Sequence, residues 1–222
     1  MYDEGDMPRE NDKLIRDLSL ISGRIGILGG TFDPLHKGHL EIARYAMKRE
    51  SLNLVLFIPN KKNPLKSEFP FSDDSTRLEM LLLGLKDEPC FFASDIELNA
   101  ENCSYSVDTL KKIKATVSTE SMLFFIVGSD ILPTLHLWKD FKDIFNLATV
   151  VTVARREFPL EKFDTLSPVI PPEYIRMLKE HYIGSEFIDF SASSFRNMHH
   201  GTHRYDMLPS AVADYIKERK LY

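Results

Sequence analysis

Two histidines three residues apart, His36 and His39, follow a glycine pair and an Asp-Pro step in the stretch Gly29 to His39, which reads GGTFDPLHKGH. Imidazole titrates near neutral pH, so a pair at this spacing can converge on a phosphate as donors or as charges. The paired glycines sit where a strand must turn sharply and let a ligand approach the backbone. Asp33-Pro34 adds a turn signal. Before this stretch, Ile25, Ile27 and Leu28 make a short β-type run. After it, Leu40, Ala43, Tyr45 and Met47 fall at roughly helical spacing, which predicts a helix opening at or just before His39 with its free N–H groups facing the turn. An anion belongs at such a place. Singly, each feature has an ordinary reading, a turn for Gly-Gly and a capping or surface role for either histidine; together they point to a nucleotide phosphate. The spacing is neither G-x-G-x-x-G nor G-x-x-x-x-G-K-[ST], so it is neither the dinucleotide fingerprint nor a Walker loop.

Elements able to position this turn recur along the chain. Leu54 to Ile58, Phe91 to Ile96, Leu123 to Val127 and Thr149 to Val153 read as buried strands, with a sixth from Glu186 to Asp189. Helical patterns lie between them: Asp73 to Leu85 with Ser72 or Asp73 as cap, Ser104 to Val117, Glu173 to Lys179, and a tail from Pro209 to Tyr222. Residues 154 to 172 carry Pro159, Pro168, Pro171 and Pro172 without a clear period and read as a long surface loop. This alternation predicts an α/β fold, a Rossmann-like doubly wound parallel sheet with ligands beyond the carboxyl ends of its strands. Residues 1 to 23, with a short amphipathic pattern at Leu14, Ile15, Leu18 and Ile21, read as an extension outside a single core domain of residues 24 to 222.

The 222 residues are 43% hydrophobic and 27% charged, an ordinary globular balance for one domain. A net charge of −5 provides no basic footprint for nucleic acid. Cys90 and Cys103 lack CxxC spacing, so reduced thiols in a cytoplasm are expected. The chain has no apolar run of membrane-spanning length, and Asp3, Glu4, Asp6 and Glu10 do not suit a signal peptide. Neither membrane nor nucleic acid is an expected partner, and homo-oligomer formation stays open. His199, His200 and His203 lack a neighbouring carboxylate or thiolate at a ligand spacing and read as a surface loop, so no protein-bound metal is expected.

GGTFDPLHKGH resembles the signature of the nucleotidyltransferase superfamily with an HxGH motif, whose members transfer a nucleotidyl group without a covalent enzyme intermediate. Later pieces are similar to the nicotinate-nucleotide adenylyltransferase family in particular: IPN (Ile58 to Asn60), TRLEML (Thr76 to Leu81), SYSVDTL (Ser104 to Leu110), FIVGSD (Phe125 to Asp130), Leu137-Trp138, ARR (Ala154 to Arg156), SASSFR (Ser191 to Arg196) and the closing LPSAVADYIKERKLY. The resemblance covers about residues 24 to 222. Two departures stand out. The run after IPN is Asn63-Pro64-Leu65-Lys66 where the family has a PPHK-like sequence, and Glu157-Phe158-Pro159 follows Arg156 where a Pro-Gly is usual.

The resemblance implies adenylyl transfer from ATP, with Mg²⁺, to nicotinate mononucleotide, giving deamido-NAD and pyrophosphate. His36, His39 and Arg196 would be catalytic. Gly29, Gly30, Thr31, Phe32, Gly128, Asp130, Ser191, Ser193 and Arg196 would bind ATP. Lys66, Tyr105, Ser106, Trp138 and Arg156 would bind the pyridine nucleotide, Trp138 by stacking on its ring. Read without the family, Ser191 and Ser193 are helix caps, Asp130 is a strand-end cap, Trp138 is a core residue and Arg155-Arg156 a solvated pair. Another small-molecule acceptor (phosphopantetheine, FMN or nicotinamide mononucleotide) and a nucleotide-binding module without turnover are the rival readings.

Overall fold

The computed structural model describes residues 13–62, 70–100, 105–155, 158–184, 192–196 and 204–222. Its strands are β1 (Arg24–Gly30), β2 (Leu54–Pro59), β3 (Phe91–Ala93), β4 (Met122–Gly128), β5 (Thr149–Val153) and β6 (Tyr182–Ile183). All pair parallel in one sheet of order β3-β2-β1-β4-β5-β6. Parallel pairing demands crossovers, supplied here mainly by α1 (Lys37–Glu50), α2 (Asp74–Leu85), α3 (Ser106–Thr116), α4 (Phe141–Leu147) and α5 (Pro172–Glu180). The chain works outward from β1 to β3, then returns to lay β4 on the other side of β1. Strand order therefore reverses between β1 and β4, and the turn after Gly30 lies at that switch point.

Helices on both faces explain why the strands are apolar throughout rather than alternating: every residue of β2 is buried. Successive side chains feed opposite cores. Ile25, Ile27, Leu54, Leu56, Leu123 and Phe125 join one, whereas Val55, Phe57, Phe124 and Ile126 join the other, with Phe32 and Leu35 of the turn. A third cluster, built from Met80, Phe195, Leu208, Val212, Ala213 and Ile216, seats α6 (Ala192–Arg196) and α7 (Ser210–Arg219) against α2.

Several expectations change. The segment placed outside the core supplies part of it: Ile15, Leu18 and Ile21 are buried, and Leu14 bridges Ala93 in parallel at the sheet edge. Its helix is only a 3-10 turn, Leu18–Leu20. Residues 154–172 do not form a surface loop throughout. Leu160–Leu166 is a 3-10 helix that buries Phe163 and Leu166, and Ile170 follows into the same core. The second surprise has a local cause, since apolar residues three apart line one face of a helix with three residues per turn and escape a search for a period of 3.6; in the first the apolar pattern is visible but nothing local ties it to the distant core. The sixth strand is Tyr182–Ile183, ahead of the expected 186–189, which lie outside the described residues. The third strand stops at Ala93 instead of Ile96, and α1 starts at Lys37, two residues before His39.

Candidate active site

The site grows from the carboxyl end of β1. The Gly30 carbonyl accepts from Asn60 N at 2.9 Å, tying this end to β2. A Cβ on Gly30 would lie 2.9 Å from the Phe32 ring, so only glycine lets the chain fold back here. Among the described residues, nothing lies within 4 Å of a Cβ built on Gly29, beside the turn. Phe32 itself takes a left-handed φ of 47°, held by burial of its ring against Phe57 and the edge of His39.

His36 is the N-cap of α1 and His39 its third residue. Their rings stack with centroids 3.7 Å apart and planes 27° from parallel. His36 is buried, and His39 Nδ1 accepts from the His36 backbone N–H at 3.3 Å. An accepting ring nitrogen carries no proton, so the His39 proton sits on Nε2, which is left as the donor. Charge is disfavoured on both rings. Burial, with the Arg155 guanidinium nearby, pushes His36 down to about 3. Burial, then His36 and Arg155, hold His39 well below the ordinary imidazole range. Of the two roles open to the pair, the geometry favours neutral donors over cations.

Three side chains brace the turn. Arg77, wholly buried on α2, donates from Nη1 to the Thr31 carbonyl at 2.8 Å and from Nη2 to Asp74 at 2.6 Å. Arg196 Nη1 donates to the Asp33 carbonyl. The buried Asp33 carboxylate accepts from Phe71 N at 2.7 Å, Ser72 N at 3.2 Å and the Tyr222 hydroxyl at 2.5 Å.

On the β4 side, Gly128 ends the strand. A Cβ there would sit 2.2 Å from an Asp130 carboxylate oxygen and 3.3 Å from Arg155, so any larger residue would make the Asp130 side chain move aside. Arg155 Nε lies 3.8 Å from Asp130, and its backbone N–H donates to buried Ser129 Oγ at 2.8 Å. Arg155 thus links the Gly128–Asp130 end of β4 to the histidines. Tyr105, Ser106 and Trp138 come from the connections after β3 and β4, and Tyr105 and Trp138 pack against the opposite core. Tyr105 is the N-cap of α3, Ser106 is its first residue, and Trp138 ends the 3-10 helix Ser129–Leu137. The Trp138 ring meets Phe125 edge-on at 6.2 Å, and its buried Nε1 has no hydrogen-bond partner among the described residues. Both readings of Trp138 therefore keep support: it packs on the core, yet it holds a donor in reserve.

Of the other expected residues, Lys66, Arg156 and Ser191 lie outside the described residues, as does the side chain of Ser193, whose backbone belongs to α6. Four residues with roles at the turn escape the sequence reading. Arg77 left a signal, being a cation on the buried stripe of Met80, Leu81 and Gly84. Arg155 stood beside the arginine chosen instead. Asp33 reads as turn chemistry only, and nothing in the order of residues joins Tyr222 to it.

The geometry agrees with comparison to known proteins. Residues 27–198 match the family model described as "Cytidylyltransferase-like". A protein of Moorella thermoacetica named "Probable nicotinate-nucleotide adenylyltransferase" is 32% identical over 200 residues, covering 90% of this chain and 92% of that one. One of the same name from Citrifermentans bemidjiense is 36% identical over 213 residues, covering 90% and 98%. In fold, the chain is similar to the Plasmodium falciparum nicotinic acid mononucleotide adenylyltransferase complexed with NaAD, with a TM-score of 0.71 at 17% identity, over 90% of this chain and 97% of that one. The stacked histidines at a sheet switch point thus sit in a chain that belongs to the nicotinate-nucleotide adenylyltransferase family of cytidylyltransferase-like nucleotidyltransferases.

Proposed function

We propose that the chain transfers the adenylyl group of ATP to nicotinate mononucleotide, releasing pyrophosphate and forming deamido-NAD for NAD synthesis. The observation that carries this reading is the stacked, uncharged His36–His39 pair at the start of α1, in a chain whose relatives bear that family's name. The acceptor's 5′-phosphate oxygen bonds to the α-phosphorus as the bond from that phosphorus to the pyrophosphate oxygen breaks. No protein nucleophile is needed, because a phosphate is anionic at neutral pH and the enzyme acts by positioning and by placing donors where charge develops.

His39 Nε2–H, fixed in tautomer by the His36 amide, donates to an α-phosphoryl oxygen, with His36 stacked behind it. Gly29, Gly30, Thr31 and Phe32 bring backbone close to the triphosphate, and Arg196, with Ser191 and Ser193, holds its outer phosphates. Gly128 and Asp130 take the nucleoside side. Trp138, Tyr105 and Ser106, with Lys66 and Arg156, form the pyridine subsite, where Trp138 stacks on the ring and the donors Ser106 Oγ and Arg156 favour a carboxylate over a carboxamide. Arg155 adds positive charge facing both histidines.

Among the described residues no cluster of three carboxylate, thiolate or imidazole groups could cage a metal. Mg²⁺ would enter with the triphosphate, the usual carrier of this ion at nucleotide sites. A bound divalent ion would supply positive charge against the leaving pyrophosphate, beside the outer phosphates assigned to Arg196, Ser191 and Ser193. No helix among the described residues is long and apolar enough to cross a membrane. A cytoplasmic setting accords with two cysteines that lack disulfide or redox spacing.

Pyrophosphate release with ATP and Mg²⁺, compared across nicotinate mononucleotide, nicotinamide mononucleotide and phosphopantetheine, tests the assignment. Strong preference for the first is expected. Equal use of the two pyridines would remove the carboxylate subsite from the account.

A further inference from the structure

We propose that Tyr222 is a positioning residue for this transfer: its hydroxyl fixes the Asp33 carboxylate, and through it the turn that receives the Arg196 guanidinium and leads into the histidines. The inference rests on the function proposed above. Tyr222 follows α7 and reaches Asp33 across 189 positions of sequence. Its Oη donates to Asp33 Oδ1 at 2.5 Å and lies 3.0 Å from Ser72 Oγ. A phenol has one proton, so with that proton on Asp33 the Ser72 hydroxyl must donate to Tyr222. Asp33 Oδ2 meanwhile takes the amides of Phe71 and Ser72. The carboxylate is fully buried, and these donors replace the water it has lost.

One residue therefore gathers four segments. The Asp33 carboxylate holds the chain entering α2 and the chain leaving α7, while its carbonyl takes the Arg196 guanidinium of α6. Three positions on, His36 caps α1 and seats His39. Freed from Tyr222, the carboxylate loses its shortest hydrogen bond and the turn gains room to shift, and Arg196 and both imidazoles are placed from that turn. Burial, reinforced by Asp33, raises the Tyr222 phenol far above its ordinary range, so it stays a donor at every working pH. Its ring is set independently, edge-on to Phe195 at 5.9 Å and tilted against Phe71 at 5.2 Å. A phenylalanine can thus occupy the same place and lack only the hydroxyl.

The test uses Tyr222→Phe, Asp33→Asn and their double variant. The readouts are kcat, KM for ATP and for the acceptor, melting temperature, and amide hydrogen exchange across residues 31–39. The Phe variant should still fold but melt a few degrees below the wild type, since the buried Asp33 carboxylate loses one donor. Its kcat should fall about tenfold, in keeping with the loss of one hydrogen bond to a charged group, with both KM values held within about twofold. Exchange across the turn should quicken, and the double variant should be no slower than Asp33→Asn alone, because the tyrosine acts through that carboxylate. Ser72→Ala, which removes only the donor to the phenol, should lower kcat by a smaller factor, about threefold, and serves should the Phe variant fail to fold. A Phe variant turning over within about twofold of wild type would overturn the proposal, as would unchanged exchange or a double variant slowed by the product of the single losses. Exchange needs no substrate. A wild-type protein that transfers to no acceptor would therefore sink the assigned reaction while the tie between Tyr222 and the turn is still read.

Discussion

His39 does two things at once, and two substitutions pull them apart. Its Nδ1 accepts the His36 amide, a helix-capping contact, and its Nε2–H is the donor assigned to the α-phosphate. In His39→Asn the side-chain oxygen can stand where Nδ1 stood, which keeps the cap, but nothing reaches the place of Nε2. His39→Ala removes both. Loss of one donor aimed at charge that develops during reaction is worth about 100-fold in kcat, or ~2.7 kcal/mol, so both variants should fall by that factor. Both variants lose the ring contacts with His36 and Phe32, but only the alanine variant should also lose the cap, at a further cost of ~1 kcal/mol. For a chain of this size that lowers the melting temperature by about 2–4 °C. Steady-state pyrophosphate release and a thermal melt on the same samples decide the matter. An asparagine variant within about tenfold of wild type would refute the assigned donor.

The uncharged histidines predict a pH dependence of stability. His36 titrates at about 3 in the fold and near 6.5 when unfolded, so between these values the unfolded chain binds the extra proton and stability falls as pH falls. At pH 5 the loss from His36 alone is about 2 kcal/mol, and His39 shifts in the same direction. Urea melts at pH 7 and pH 5 check this, and equal midpoints would count against neutral rings. Arg77→Met keeps bulk in a fully buried site but leaves the Thr31 carbonyl without its donor; it should cost about 2 kcal/mol and lower the melting temperature by several degrees, with turnover reduced as the turn loosens. Unchanged melting would show that the brace on Thr31 is dispensable.

Much of this architecture is legible in the chain because two physical signals are strong. Strands covered on both faces must be apolar at every position, and LVLFI, LFFIV and TVVTV announce themselves. Helices that open on a cap do likewise, as Asp73 does by accepting from Thr76 N. The histidine pair is legible because both members lie within one turn of chain. The 3-10 helix Leu160–Leu166 is hidden, since a period of three imitates irregular loop. The braces on the turn are hidden for another reason. Arg77 meets Thr31 across 46 positions and Tyr222 meets Asp33 across 189, and contacts of that range arise from the fold rather than from any local pattern.

The central claim is that an adenylyl group passes directly from ATP to nicotinate mononucleotide. ATP labelled at the α-phosphate, incubated with the protein, Mg²⁺ and nicotinate mononucleotide, follows that group itself. The account predicts label in deamido-NAD, in step with unlabelled pyrophosphate, and none retained on the protein after denaturation. Label bound covalently to the protein, or ATP consumed with no labelled dinucleotide, would contradict it.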